Sequence, residues 1–178
     1  EATPGRHTQA SQFTVPPGFE TDRPAYGDAR EDQAGRGRYY KEASLLTHTM
    51  NASGMCLFGF ASTHVTFIPD CLSVVRGEEF TVDDMLTAGE RIAVIRRAFN
   101  AREGINPLQH ELPDRAYGKP PLDEGPTQGI EVDIAGMTDD YLKDMNWTLD
   151  SALPQPAVLD RLGMADVKED LWGDRDDE

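Results

Sequence analysis

The stretch from Thr81 to Gly104 constrains the fold more than any other. Met85, Ala88, Ile92, Ile95 and Phe99 recur at intervals of three and four, which places them on one stripe of an α-helix. Thr81 is a good N-cap residue, and Asp83 and Asp84 put negative charge in the first turn, where the helix dipole favours it. Arg96, Arg97 and Arg102 gather toward the other end, and Gly104 supplies a stop. An isolated helix is marginal in water, so this one needs partners to bury its apolar stripe.

Partners are legible on both sides. Gly37 to Met50 carries Tyr40, Ala43, Leu46 and Met50 at helical intervals, and Asn51-Ala-Ser-Gly54 can end it. Met55 to Ala61 is the most apolar run and is expected to be buried, with a short helix following from Pro69 to Arg76 and stopping at Gly77. Thr138, followed by Asp139 and Asp140, is expected to cap a helix reaching about Trp147, and Pro156 to open another that ends at Gly163.

Between these segments prolines and glycines break regular structure. Residues 1–36 hold Pro4, Pro16, Pro17 and Pro24, and read as an irregular arm of the kind that lines a site or packs on another domain. Ile105 to Asp133 contains Pro107, Pro113, Pro120, Pro121 and Pro126 and is expected to run extended over a surface. No alternating strand pattern recurs. The expected fold is therefore mainly α: an irregular helical domain over 37–165 with long extended loops, preceded by the arm and followed by an acidic tail at 166–178.

The balance of 17 basic against 32 acidic residues gives a net charge of −15. Such a surface repels phosphate backbones and anionic head groups, so nucleic acid is not an expected partner, and no apolar run resembles a membrane span or signal peptide. The chain opens on Glu-Ala-Thr-Pro-Gly, read as the start of a piece of a larger soluble polypeptide. Two cysteines, Cys56 and Cys71, make a poor disulfide framework, which points to a reducing cytoplasm.

Chemistry concentrates at Asn51-Ala-Ser-Gly-Met-Cys56-Leu-Phe58, where an amide, a glycine and a thiol meet at the junction of two helical segments. Unpaired N–H groups there can hold a polar ligand and a thiolate can hold a soft metal. The structural alternative is a helix-turn-helix with a buried cysteine, and one cysteine cannot hold an iron-sulfur cluster alone. Cys71 reads as a core residue, His48 as a surface or supporting residue, and His64 and His110 lack partners at metal-ligand spacing.

Asn51 to Phe58 resembles the second Asp-x-x-Gly-Leu-Cys motif of the tungsten-containing aldehyde:ferredoxin oxidoreductases. Gly89 to Ile92, Phe99 to Gly104, Leu112 to Arg115, Pro121 to Pro126 and Tyr141 to Trp147 resemble that family's C-terminal blocks in order and spacing, covering roughly Tyr39 to Gly163. The resemblance implies that Cys56 is the last of four cysteine ligands to a [4Fe-4S] cluster. The other three would come from a Cys-x-x-Cys-x-x-x-Cys run outside this chain. It implies further that Asn51, Gly54 and Leu57 contact one of two pterins holding tungsten.

Asn51 stands where the family usually has aspartate, so a charge is missing while an acceptor oxygen remains. Met55 for leucine conserves volume. Ala2-Thr-Pro-Gly-Arg-His7-Thr8 resembles the segment that brings a histidine to tungsten, giving His7 a substrate-holding or proton-moving role, against the alternative of an exposed loop histidine. The implied function is oxidation of aldehydes to carboxylic acids at tungstopterin, with ferredoxin as acceptor and the enzyme's remaining domains as partners. The related alternative is the tungsten subunit of a benzoyl-CoA reductase type complex, and the alternative from another class is a non-catalytic helical docking domain.

Overall fold

A computed structural model describes residues 15–19 and 35–173. The mainly α expectation holds. Seven α-helices follow one another among the described residues: α1 Arg36–Ser53, α2 Leu57–Ser62, α3 Phe67–Arg76, α4 Val82–Arg102, α5 Ile134–Met145, α6 Pro156–Arg161 and α7 Ala165–Trp172. The sheet-like pairing among the described residues amounts to the isolated bridges Leu122–Gln128 and Trp147–Pro154. No helix among the described residues is long and apolar enough to cross a membrane.

Helix α1 is the axis of the fold, packing along α4 on one side and α5 on the other. Two glycines make these approaches possible. A Cβ on Gly89 of α4 would overlap the Leu45 carbonyl of α1, and one on Gly37 of α1 would overlap the backbone of Asp140 and Tyr141. Surrounded in this way, α1 buries Ser44, Thr47, His48 and Thr49 as well as its apolar residues. The hydroxyls are satisfied by backbone: Ser44 donates to the Lys41 carbonyl, Thr47 to that of Ala43, and Thr49 to that of Met85 across the α1–α4 contact.

Two apolar clusters flank this axis. Phe60 of α2 is fully buried in one of them with Leu46, Met50, Val65, Ile68 and Met85. Truncating it to alanine would cost about 3–5 kcal/mol. The second cluster joins Leu45, Ala93, Val94, Leu142, Met145 and Trp147 to the C-terminal residues Val158, Leu159, Leu162 and Leu171.

Thr81 caps α4 as expected. Its hydroxyl accepts from the Asp84 N–H while the Asp84 carboxylate accepts from the Thr81 N–H, a reciprocal capping box. Gly54 and Gly77 end α1 and α3 in the left-handed conformation, as their positions predicted.

Four expectations are corrected. The buried face of α4 is Met85, Gly89, Glu90, Ala93, Val94 and Arg97, whereas Ile95 and Phe99 of the apolar stripe are 55% and 54% exposed. The charged residues on that face are taken inside because each is paired: Glu90 with Arg161, Arg97 with the carbonyls of Ile105, Ser151 and Ala152. The run Met55 to Ala61 is not buried throughout, since a single short helix has only one inner face; Phe60 fills it and Phe58 is 81% exposed. Helix α5 starts four residues earlier than Thr138, capped by Asp133, whose carboxylate accepts from the Gly136 N–H.

The acidic segment from residue 166 is not all solvated tail. Its first part is α7, held by buried Leu171 and by Trp172, whose indole N–H donates to the Pro154 carbonyl at 3.0 Å. A helix needs only one apolar face to dock, and Leu171 and Trp172 supply it despite the charges around them.

Candidate functional site

Cys56 occupies the sharp turn between α1 and α2. Gly54 caps α1 with φ 75°, its N–H donating to the Asn51 carbonyl at 3.3 Å, and the chain then turns into extended Cys56, the N-cap of α2. The Cys56 carbonyl accepts from the Phe60 N–H at 2.9 Å, which fixes the start of that helix. Met55 and Leu57 pack against the Phe60 cluster and anchor the turn from both sides.

The Cys56 thiol is exposed. The backbone N–H groups of Gly59 and Phe58 beside it hold its pKa below the usual thiol value, against a smaller opposing effect of desolvation. An exposed thiol biased toward thiolate is the donor that a soft metal takes. Asn51 and Gly54 are exposed on the same turn, and a Cβ at Gly54 would meet no atom within 4 Å, so a ligand can approach the backbone there. Leu57, half-buried, presents its backbone at the first turn of α2.

The donor set is partial. Among the described residues no group of three or more His, Cys, Asp and Glu side chains is placed to hold a metal ion. Cys71, expected in the core, is exposed on α3, because the inward positions of that helix go to Ile68 and Pro69. His64 is exposed, its Nδ1 at 3.1 Å from the Thr66 hydroxyl, and its ring lies against Gly18, where a Cβ would overlap it. His7 lies outside the described residues.

A second feature was missed by sequence reasoning. A cavity of about 490 Å³ opens between α1, α4, α5 and the loop from Pro107 to Tyr117, lined among others by Tyr40, Ser44, His48, Arg97, Tyr117 and Trp147. Tyr40, Tyr141 and Trp147 form an edge-to-face series in its wall, with centroid separations of 5.2 and 6.1 Å.

His48 is not a surface residue: it is 7% exposed and part of this wall. Arg96 Nη1 donates to His48 Nδ1 at 3.2 Å. Burial first, and the Arg96 cation second, push its pKa down to about 4. The spacing of Tyr40, Ser44 and His48, four residues apart on one helix, was the available signal for a polar, aromatic-edged face.

Residues 2–164 match the family model described as aldehyde ferredoxin oxidoreductase, domains 2 and 3. The chain belongs to the aldehyde ferredoxin oxidoreductase family. It is 33% identical over 119 residues to a tungsten-containing aldehyde ferredoxin oxidoreductase of Pyrococcus horikoshii, which is 67% of this chain and 19% of that protein. The enzyme of the same name from Pyrococcus furiosus is 32% identical over 121 residues, 68% of this chain and 20% of that protein. That from Thermococcus kodakarensis is 31% identical over 121 residues.

The chain thus spans about a fifth of the length of the curated relatives it matches. Within this oxidoreductase family it is a C-terminal domain, and the blocks that carry the resemblance act here as structure. Gly89, Glu90 and Arg91 bind α4 to its neighbours: Gly89 lies against α1, Glu90 pairs with Arg161, and Arg91 Nε donates to the Leu162 carbonyl at 2.9 Å.

Proposed function

We propose that this domain completes the active site of an enzyme that oxidises aldehydes to carboxylic acids and passes the electrons to ferredoxin. The observation that carries the reading is Cys56: an exposed thiol at the start of α2, biased toward thiolate by the Phe58 and Gly59 N–H groups, in a family whose matched relatives are named as tungsten-containing. Cys56 would furnish the last ligand of a [4Fe-4S] cluster, and Asn51, Gly54 and Leu57 the contacts to a pterin of a tungsten bis-pterin group. When bound, those groups supply the redox chemistry.

The residues of this chain would hold and orient those groups. Aldehyde and water give carboxylic acid, two protons and two electrons, and the two electrons leave singly. At Asn51 the amide oxygen would accept a hydrogen bond from a pterin N–H where an aspartate would accept with a full charge, a weaker acceptor at the same position. His7, assigned by resemblance, would hold the substrate oxygen or move a proton. Phe58, Val74 and Val75, all more than four-fifths exposed, form apolar surface that the enzyme's remaining domains would cover, and the cytoplasm is the compartment that suits the reduced thiols.

The test is the metal content of the whole polypeptide purified without oxygen. Near-stoichiometric tungsten with about four irons per chain, the content of one cubane, together with viologen reduction by simple aldehydes, is the expected result. A folded polypeptide lacking both metals would leave a scaffold role in its place.

A further inference from the structure

Residues 15–19 meet the helical body at the link between α2 and α3, a contact to which the function proposed above gives no role. Pro16-Pro17-Gly18-Phe19 closes a β-turn, with the Phe19 N–H donating to the Pro16 carbonyl at 3.3 Å. Proline second and glycine third, the glycine with φ 81°, is the residue order of a type II turn. The turn is seated firmly. The Val65 N–H donates to the Pro17 carbonyl at 2.8 Å, Pro16 is buried, and the His64 ring lies against Gly18, where a Cβ would overlap it.

Phe19 carries this contact inward. It packs against the cluster of Phe60, Val65, Ile68, Leu46, Met50 and Met85, and so do Met55 and Leu57, the two neighbours of Cys56. The turn at residues 16–19 and the turn at Cys56 therefore lean on one core from separate stretches of chain.

Helix α2 needs that support. It has six residues, too few for a helix to stand alone in water, and Phe60 is its one buried side chain. The Phe60 N–H also donates to the Cys56 carbonyl at 2.9 Å, so what keeps Phe60 in place keeps Cys56 at the head of the helix.

We infer that the Pro16–Phe19 turn is a brace for Cys56: Gly18 and Phe19 are positioning residues that hold α2 and thereby fix the direction of the Cys56 thiol toward its metal. The inference rests on the proposed function only for that metal, because the brace belongs to the polypeptide with or without it. A stretch that reads from sequence as irregular arm is in this respect part of the ligand site.

The test is amide hydrogen exchange and thiol alkylation of the whole polypeptide freed of metal, with Gly18→Val and Phe19→Ala as two independent ways to release the turn. A β-branched valine disfavours φ 81°, and alanine removes the packing of the phenyl ring. The Val65 and Phe60 amides are expected to be protected in the parent and to exchange at least about tenfold faster in both variants, while amides of α5 and α6 keep their parent rates. The ratio of Cys56 to Cys71 alkylation should fall toward unity. Phe19→Leu, which restores an apolar side chain, should stay within about threefold of the parent. In the loaded enzyme, release of the turn should shift the midpoint potential of the cluster, which a loss of stability alone does not move.

An unprotected Val65 amide in the parent overturns the inference. So do unchanged Phe60 exchange and Cys56 alkylation in a variant whose Val65 amide is released, an unshifted potential in that variant, or equal acceleration of the α5 and α6 amides, which would make the turn a support of the whole domain. Should Gly18→Val fail to fold, Phe19→Ala carries the test. Absence of tungsten and iron would sink the function proposed above while exchange and alkylation still decide the brace, so the two failures are distinguishable.

Discussion

Arg161 on α6 grips Glu90 on α4 with two parallel hydrogen bonds, Nη2 to Oε1 at 2.7 Å and Nη1 to Oε2 at 3.0 Å. The carboxylate is almost fully buried and the guanidinium side chain is half exposed, with 7% and 52% of their side-chain surfaces accessible. The hydrogen bond to Glu90, ahead of the opposing desolvation, raises the Arg161 pKa. Arg161→Ala strands the buried carboxylate. It should lower stability by about 2 kcal/mol, below the roughly 3–5 kcal/mol of a fully buried pair because water reaches the Arg161 side. A urea midpoint shift measures this, and an unchanged midpoint would show that Glu90 is solvated when alone.

Gly89 tests the close approach of α1 and α4. A Cβ there would overlap the Leu45 carbonyl, so Gly89→Ala should destabilise by several kcal/mol or prevent folding, despite alanine's better helix propensity of about 1 kcal/mol. Gly59→Ala is the control, because its Cβ would sit 3.6 Å from the Met55 methyl, an ordinary contact. Thermal melts of the two variants should move far apart.

His48 makes stability depend on pH. Its folded pKa of about 4 lies below the ordinary histidine value of 6.5, so between these values the unfolded chain binds the extra proton. Stability is then fully present above pH 6.5 and is lost as pH falls toward 4, by up to about 3 kcal/mol from this residue. Urea titrations at pH 7 and pH 5 should differ less for His48→Gln than for the parent. An equal difference would assign the effect to other groups.

Cys56 and Cys71 should separate in both reactivity and cofactor binding. In cluster-free polypeptide the exposed Cys56, with its pKa lowered by neighbouring N–H groups, is expected to alkylate faster near pH 7 than Cys71, which is also exposed. In the loaded enzyme Cys56→Ala should abolish the EPR signal of the cluster and Cys71→Ser should leave it. A normal signal in Cys56→Ala would refute its ligand role.

Helices were legible where their ends are chemically marked: Thr81 with Asp84, Gly54 and Gly77 fixed three boundaries to within a residue or two. Faces were less legible. Periodicity ranks Ile95 and Phe99 above Arg97 for burial, and only partners distant in sequence, the carbonyls of Ser151 and Ala152, invert that order. The same holds for the site. Cys56 stands in a local motif that a sequence displays, whereas the environment of His48 is made by Arg96 and by loops far along the chain, which no spacing rule reaches.

Arg97 joins two stretches that lack regular structure of their own, donating through Nη1 to Ile105 and through Nε and Nη2 to Ala152 and Ser151. Releasing either stretch while the other stays would leave part of a buried guanidinium without acceptors, a cost that local fraying cannot meet. These loops and the second half of α4 are therefore expected to exchange hydrogen as one cooperative unit, with the loop amides protected for as long as that helix is. The proline-rich connection departing from Ile105 is tethered at its root by the Arg97 bond to the Ile105 carbonyl.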